Sequence, residues 1–128
     1  MTLTDATAPP EAAGAEAWIR ICALGDLEIE RGRAALVHDT QVALFLLHSG
    51  RVFAVSNLDP FSGAHVISRG IVGTRQDAPT VASPMFKQVF HLRTGACVDA
   101  QGKEPAHLRS WPTTVRDGAV YVKWAGRS

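Results

Sequence analysis

Cysteine is scarce in this chain, and its scarcity removes several classes of site. The 128 residues include two cysteines, Cys22 and Cys97, which are far apart in sequence and form no Cys-x-x-Cys pair. Metal frameworks are built from closely spaced cysteine and histidine ligands, so none is predicted. We expect both thiols to stay reduced in the cytoplasm, and we expect Cys97, just after a Thr94-Gly95 turn, to pack as a small core hydrophobe.

An excess of charge and a long apolar run are also missing. Charged residues make up 20% of the chain and the formal net charge is +1, so no basic surface typical of nucleic-acid or anionic-membrane binding is present. No apolar run reaches the ~18 residues of a membrane-spanning helix, and the N-terminus lacks the segments of a signal peptide. A cytoplasmic protein without nucleic-acid or membrane partners is predicted.

Motifs of common enzymatic chemistry are absent as well. No Gly-x-Gly-x-x-Gly loop follows a strand, so dinucleotide binding is not predicted. No motif indicates a Ser-His-Asp or Cys-His arrangement. The sequence by itself therefore assigns no catalytic residue.

What the chain does contain is a series of short strand patterns. Residues 1–16 are rich in Ala, Thr and Pro and are expected to form a disordered tail, which leaves residues 17–128 as one domain. Residues 42–47 are apolar throughout, which predicts a strand covered on both faces, and Asp117-Gly118 predicts a hairpin turn. A break is expected at residues 77–79. Further strands are predicted at residues 18–22, 34–38, 52–55, 71–74, 80–82, 89–92, 96–98, 113–116 and 119–124, with a helical turn near residues 62–68. The pattern indicates an all-β sandwich or barrel of short antiparallel strands.

Two loops carry the most specific signal. The first loop, residues 57–65, reads Asn-Leu-Asp-Pro-Phe-Ser-Gly-Ala-His, and the second loop, residues 82–88, reads Ala-Ser-Pro-Met-Phe-Lys-Gln. Their layout resembles the two ligand loops of a Rieske iron-sulfur domain. The resemblance implies a Rieske-like β domain with both loops together at one tip.

The ligand positions of these loops hold residues that cannot build a Rieske centre. Such a centre takes Cys-x-His from one loop and Cys-x-x-His from the other. Asp59 and Phe61 stand at the first pair, and Ser83 and Phe86 at the second. Phenylalanine cannot coordinate iron and a serine hydroxyl is a poor substitute for thiolate. The ligand positions are vestigial, and no cofactor or metal is predicted on this chain.

The residues around the loops narrow the resemblance from Rieske-like domains in general to one family. The runs 59–73 and 82–92, with Thr94-Gly95-Ala96-Cys97 after them, resemble the small subunit of assimilatory NAD(P)H-dependent nitrite reductase over residues 18–124. This resemblance implies an accessory subunit in the reduction of nitrite to ammonium, inactive alone. It also implies a large catalytic partner subunit that carries FAD, siroheme and an iron-sulfur cluster.

The tip is the expected partner surface, because cluster-bearing relatives meet their redox partners there. Arg69 is either an ordinary surface charge or a bidentate clamp on a carboxylate of the partner. Phe61 and Phe86 are expected to fill the space of the missing cluster; the alternative is that they are exposed interface anchors. The residues predicted to contact the partner are His65, Ser68, Arg69, Met85, Lys87 and Gln88.

Two further roles for the first loop and one for the whole domain are less consistent with these residues. A metal site or acid-base couple of Asp59 and His65 has an incomplete ligand set and no nucleophile, so neither residue is assigned such a role. A free-standing cluster-free Rieske-fold interaction module of another oxidoreductase or assembly complex remains the alternative. An electron-carrying Rieske protein is disfavoured by Phe61 and Phe86.

Overall fold

A computed structural model describes residues 17–124, and these form eleven strands and two short 3-10 helices. The predicted tail at residues 1–16 lies outside the described residues. No helix within the described part is long and apolar enough to cross a membrane. The strands are β1 (Ala17–Ala23), β2 (Arg33–Val37), β3 (Thr40–Leu46), β4 (Val52–Ser56), β5 (Ile71–Arg75), β6 (Ala78–Ala82), β7 (Val89–His91), β8 (Cys97–Asp99), β9 (Ser110–Trp111), β10 (Thr113–Arg116) and β11 (Ala119–Trp124).

The strands form three antiparallel sheets, which confirms the predicted all-β class. The first sheet has the order β1-β11-β10, the second β2-β3-β4-β9 and the third β5-β6-β7-β8. The break predicted at residues 77–79 is confirmed at Asp77 and wrong at Ala78 and Pro79, because the turn consists of Gln76 and Asp77, which adopt left-handed conformations with φ of 51° and 67°. These two residues make the whole turn between β5 and β6, so Ala78 and Pro79 already belong to β6.

The second sheet is the middle layer, and its two faces bury different cores. Val42 and Leu44 of β3 belong to one apolar cluster with the first sheet. Ala43 and Phe45, which point the opposite way, belong to another cluster with residues of the third sheet. All four side chains are 0% exposed. The prediction of a strand covered on both faces at residues 42–47 is therefore confirmed.

The third sheet is inserted between two paired strands of the second sheet. β4 pairs with β9, with Val55 opposite Ser110, and the Ser56 amide donates to the Arg109 carbonyl at 2.8 Å. The chain leaves β4 directly into the first loop, and the second loop joins β6 to β7. A 3-10 helix, Ile67–Arg69, follows the first loop, in the region where the helical turn was expected. This topology brings the two loops to one end of the domain.

Candidate functional site

A buried side-chain hydrogen bond joins the two loops. The Ser83 hydroxyl donates to Oδ2 of Asp59 at 2.6 Å, and the Phe61 amide donates to Oδ1 at 2.9 Å. Asp59 is 0% exposed and Ser83 is 1% exposed. A buried carboxylate is costly unless it accepts hydrogen bonds, and charge-assisted bonds of this kind are short and strong. The residues at the two cysteine positions therefore link the loops directly.

The first loop is closed by its own hydrogen bonds and anchored to the sheet below it. The Asp59 amide donates to the Ala64 carbonyl and the Gly63 amide to the Asp59 carbonyl, both at 2.8 Å. The buried Asn57 side chain donates to Gln41 Oε1 at 3.0 Å and accepts from the Ser68 amide at 2.7 Å. These bonds hold the loop in one shape without a metal.

The second loop turns around the same serine. The Ser83 amide donates to the Gln88 carbonyl at 2.9 Å, and the Lys87 amide donates to the Ser83 carbonyl at 3.1 Å. The Ser83 hydroxyl also accepts from the Met85 amide at 3.2 Å. The backbone and the hydroxyl oxygen of Ser83 thus form hydrogen bonds within the second loop, while its hydroxyl group donates to Asp59 of the first loop.

The two phenylalanines have different surroundings. Phe61 is half-buried and packs against the third-sheet core, with its ring centroid 6.1 Å from that of Phe90. Phe86 is 52% exposed, so the expectation that it fills the space of a cluster is wrong. The physical reason lies in the next residue, Lys87, whose left-handed φ of 66° turns the chain. Phe86 faces solvent before this turn.

Gln88 lies on the inner side of that turn. Its side chain is 0% exposed, and neither its Nε2 nor its Oε1 has a hydrogen-bond partner among the described residues. A fully buried side chain cannot touch a partner, so we remove Gln88 from the predicted contact residues. His65, Arg69, Met85 and Lys87 are exposed and Ser68 is half-buried; their contact with a partner stays a prediction.

The exposed surface also contains two residues that the sequence reasoning missed. Leu58 of the first loop is 41% exposed, and Ile71 at the start of β5 is 73% exposed. Ile71 pairs with Ala82, the first residue of the second loop. The sequence has no signal for the exposure of Ile71, because the edge position of β5 follows only from the strand pairing.

The residues present do not fit an iron-sulfur cluster. The Asp59 carboxylate and Ser83 hydroxyl bind each other, the Phe61 ring lies against the core, and the Phe86 ring faces solvent. Within residues 17–124, no group of three or more His, Cys, Asp or Glu side chains is arranged to hold a metal ion. Asp59 and His65 form no couple, since His65 is exposed and both oxygens of the buried Asp59 already accept hydrogen bonds.

Comparison with known proteins places this geometry in a family. The model of the Rieske-like [2Fe-2S] domain matches residues 17–123. The small subunit of nitrite reductase (NADH) from Escherichia coli K12 is 40% identical over 107 residues, which cover 83% of this chain and 96% of that subunit. The solution structure of the Escherichia coli protein NirD superposes with a TM-score of 0.75 at 38% identity, covering 85% of this chain and 97% of that one.

A third relative is a much longer chain. A segment of the nitrite reductase [NAD(P)H] large subunit from Klebsiella oxytoca is 40% identical over 105 residues, covering 82% of this chain and 11% of that protein. The narrower resemblance derived from the two loops is confirmed by these relatives. The chain belongs to the Rieske-like family and, within it, to the small subunits of NAD(P)H-dependent nitrite reductase.

Proposed function

We propose that this chain is the accessory small subunit of an NAD(P)H-dependent nitrite reductase, in which it binds the catalytic large subunit during reduction of nitrite to ammonium. The observation that carries the proposal is the 40% identity to the Escherichia coli small subunit over 96% of that subunit's length. The family model, which matches residues 17–123, includes both loops and strands of all three sheets. The alternative, a free-standing cluster-free Rieske-fold interaction module of another oxidoreductase or assembly complex, has no comparable support.

The Klebsiella oxytoca relative supports the choice of partner. There, a segment similar to this chain is part of a nitrite reductase large subunit and makes up 11% of its length. A domain tethered to its partner acts at a high effective concentration, and a separate subunit must replace the tether with a binding surface. We therefore assign the catalytic large subunit as the partner of this chain.

The redox chemistry belongs to that partner in this proposal. Electron transfer from NAD(P)H to nitrite requires cofactors that hold electrons in transit, and the large subunit would supply them as FAD, siroheme and an iron-sulfur cluster. The present chain would shape or stabilise the partner's active site. A cytoplasmic location, where Cys22 and Cys97 remain free thiols, fits this role.

The test is reconstitution with the large subunit of the same organism. Mixed in equal amounts, the two chains should co-elute in gel filtration, and nitrite-dependent NAD(P)H oxidation should exceed that of the large subunit alone. The small chain alone should show no such activity, and metal analysis should find no stoichiometric iron. Absence of co-elution together with unchanged activity would refute the proposal.

A further inference from the structure

We infer that the tip binds a surface of the large subunit that consists of an apolar recess with an acidic rim. The docking face on this chain consists of Leu58, Arg69, Ile71, Met85, Phe86 and Lys87. The inference rests on the proposed function for the identity of the partner. The chemistry of the partner surface follows from three observations on this chain.

The first observation is a concentration of exposed apolar side chains. Leu58, Met85 and Phe86 are 41%, 46% and 52% exposed, and Ile71 beside the second loop is 73% exposed. The Asp59–Ser83 hydrogen bond and the strand pairing of Ile71 with Ala82 hold this group on one end of the domain. The other large exposed apolar side chains lie outside the two loops and β5; they are Trp18, Ile29, Leu36, Val98 and Val115. A grouped apolar patch with a polar rim is typical of an interface.

The second observation is the sign of the charge around this patch. Asp59 is the one acidic residue of positions 57–71 and 82–88, and it is buried. Arg69 and Lys87 are both exposed, and neither has a salt bridge to another described residue. Elsewhere Arg31 pairs with Glu28 at 3.4 Å and Arg75 pairs with Asp99 at 3.5 Å. Loop segments that carry two exposed cations without a salt bridge, and whose one acidic residue is buried, are complementary to carboxylates.

The third observation is the backbone conformation of Lys87, the residue that follows Phe86. Lys87 adopts φ of 66°, although a side chain at a left-handed position is disfavoured and glycine would be favoured there. The same conformation occurs in the tight turns at Gln76, Asp77 and Asp117, so it identifies Lys87 as a turn residue of the second loop. Phe86 and Lys87 are consecutive residues at this turn, and both are exposed.

The apolar part of the docking face is tested by a titration of the full chain against the purified large subunit. Phe86→Ala should weaken the affinity by about 30-fold, because a central aromatic anchor carries a large share of binding energy. Leu36→Ala is the matched control, since Leu36 is 70% exposed on the edge strand β2. The control should bind as tightly as the wild type.

The charged rim is tested by the salt dependence of the same titration. The double variant Arg69→Glu, Lys87→Glu should bind about 10-fold more weakly at low salt, and the difference should shrink at high salt because exposed charges are screened. The control, Arg93→Glu with Arg116→Glu, makes the same charge change at other exposed positions and should behave as the wild type. Equal losses at both salt concentrations would overturn the acidic rim.

Lys87→Gly separates docking from folding. Glycine tolerates the left-handed backbone and removes the ammonium, so the melting temperature should be unchanged or higher while affinity falls. If the wild-type chain does not bind the large subunit, the proposed function is wrong. A second outcome separates the two proposals: the wild-type chain binds, the docking-face variants bind as tightly as the wild type, and a control variant loses affinity. In that case the proposed function stands and the docking face is wrong.

Discussion

Ser83→Ala tests whether the hydrogen bond to Asp59 holds the two loops together. The substitution removes one donor to a fully buried carboxylate and leaves the Phe61 amide at 2.9 Å as its remaining donor among the described residues. Hydrogen bonds to charged groups contribute about 1.5 to 3 kcal/mol, and a buried group that loses its partner keeps its desolvation cost. The Met85 amide loses an acceptor too. We expect the free energy of unfolding to fall by about 2 to 3 kcal/mol.

Urea denaturation followed by tryptophan fluorescence measures this loss, and the slope of the transition should stay constant. The matched control is Ser62→Ala, since Ser62 is a half-buried serine of the first loop that accepts from the Ala64 amide at 3.2 Å; its loss should be below ~1 kcal/mol. Asp59→Ala alone and combined with Ser83→Ala should show a coupling energy of about 1.5 to 3 kcal/mol. Additive losses, or equal losses for the two serines, would refute the reasoning.

Three further predictions concern stability and reactivity. Gln88→Met should raise the free energy of unfolding by about 1 to 2 kcal/mol, because it removes a buried amide without partners; a decrease in denaturation experiments would reveal an ordered water or another partner. Phe61→Ala should cost about 2 kcal/mol and Phe86→Ala less than ~1 kcal/mol, because only Phe61 packs on the core; calorimetry giving the reverse order would contradict the assignment. Burial, and secondarily the Asp26 carboxylate, raise the pKa of the Cys22 thiol, so alkylation by iodoacetamide should be slow. The raised pKa of this thiol stabilises the folded state fully below the unfolded thiol pKa of about 8.5, and this stabilisation is lost as the pH rises through the higher folded pKa. The loss of stability at high pH should be smaller in Cys22→Ala. An equal pH dependence of the unfolding midpoints of the wild type and Cys22→Ala would contradict this.

Local patterns were sufficient to predict most of the strands. The uninterrupted apolar run at residues 42–47 predicted a strand that is buried on both faces, and in the structure one apolar cluster packs on each face. Asp117-Gly118 forms the turn between β10 and β11, with positive φ at both residues. β9 was missed because two residues, Ser110 and Trp111, carry too little pattern to identify a strand. Its place is determined by pairing with β4, which is distant in sequence.

The site was predictable in its location but not in its internal contacts. The loop sequences showed which ligands are missing, whereas the Asp59–Ser83 bond joins residues 24 positions apart and depends on tertiary pairing. Phe86 is exposed next to Lys87, which adopts a left-handed conformation. A lysine in the sequence does not predict such a conformation. Gln88, the residue after this turn, is buried, although glutamine is usually exposed. Backbone conformation that opposes residue preference cannot be read from composition.

The inserted position of the third sheet has a consequence for exchange between relatives. The segment that carries both loops begins after Ser56 and ends before Ser110, and its two ends meet at the hydrogen bond from the Ser56 amide to the Arg109 carbonyl. Ends that already touch need no new linker when a segment is transplanted. A cassette from a cluster-bearing relative could therefore be grafted between these two serines, provided that it carries the apolar residues that cover Phe45 and Val55.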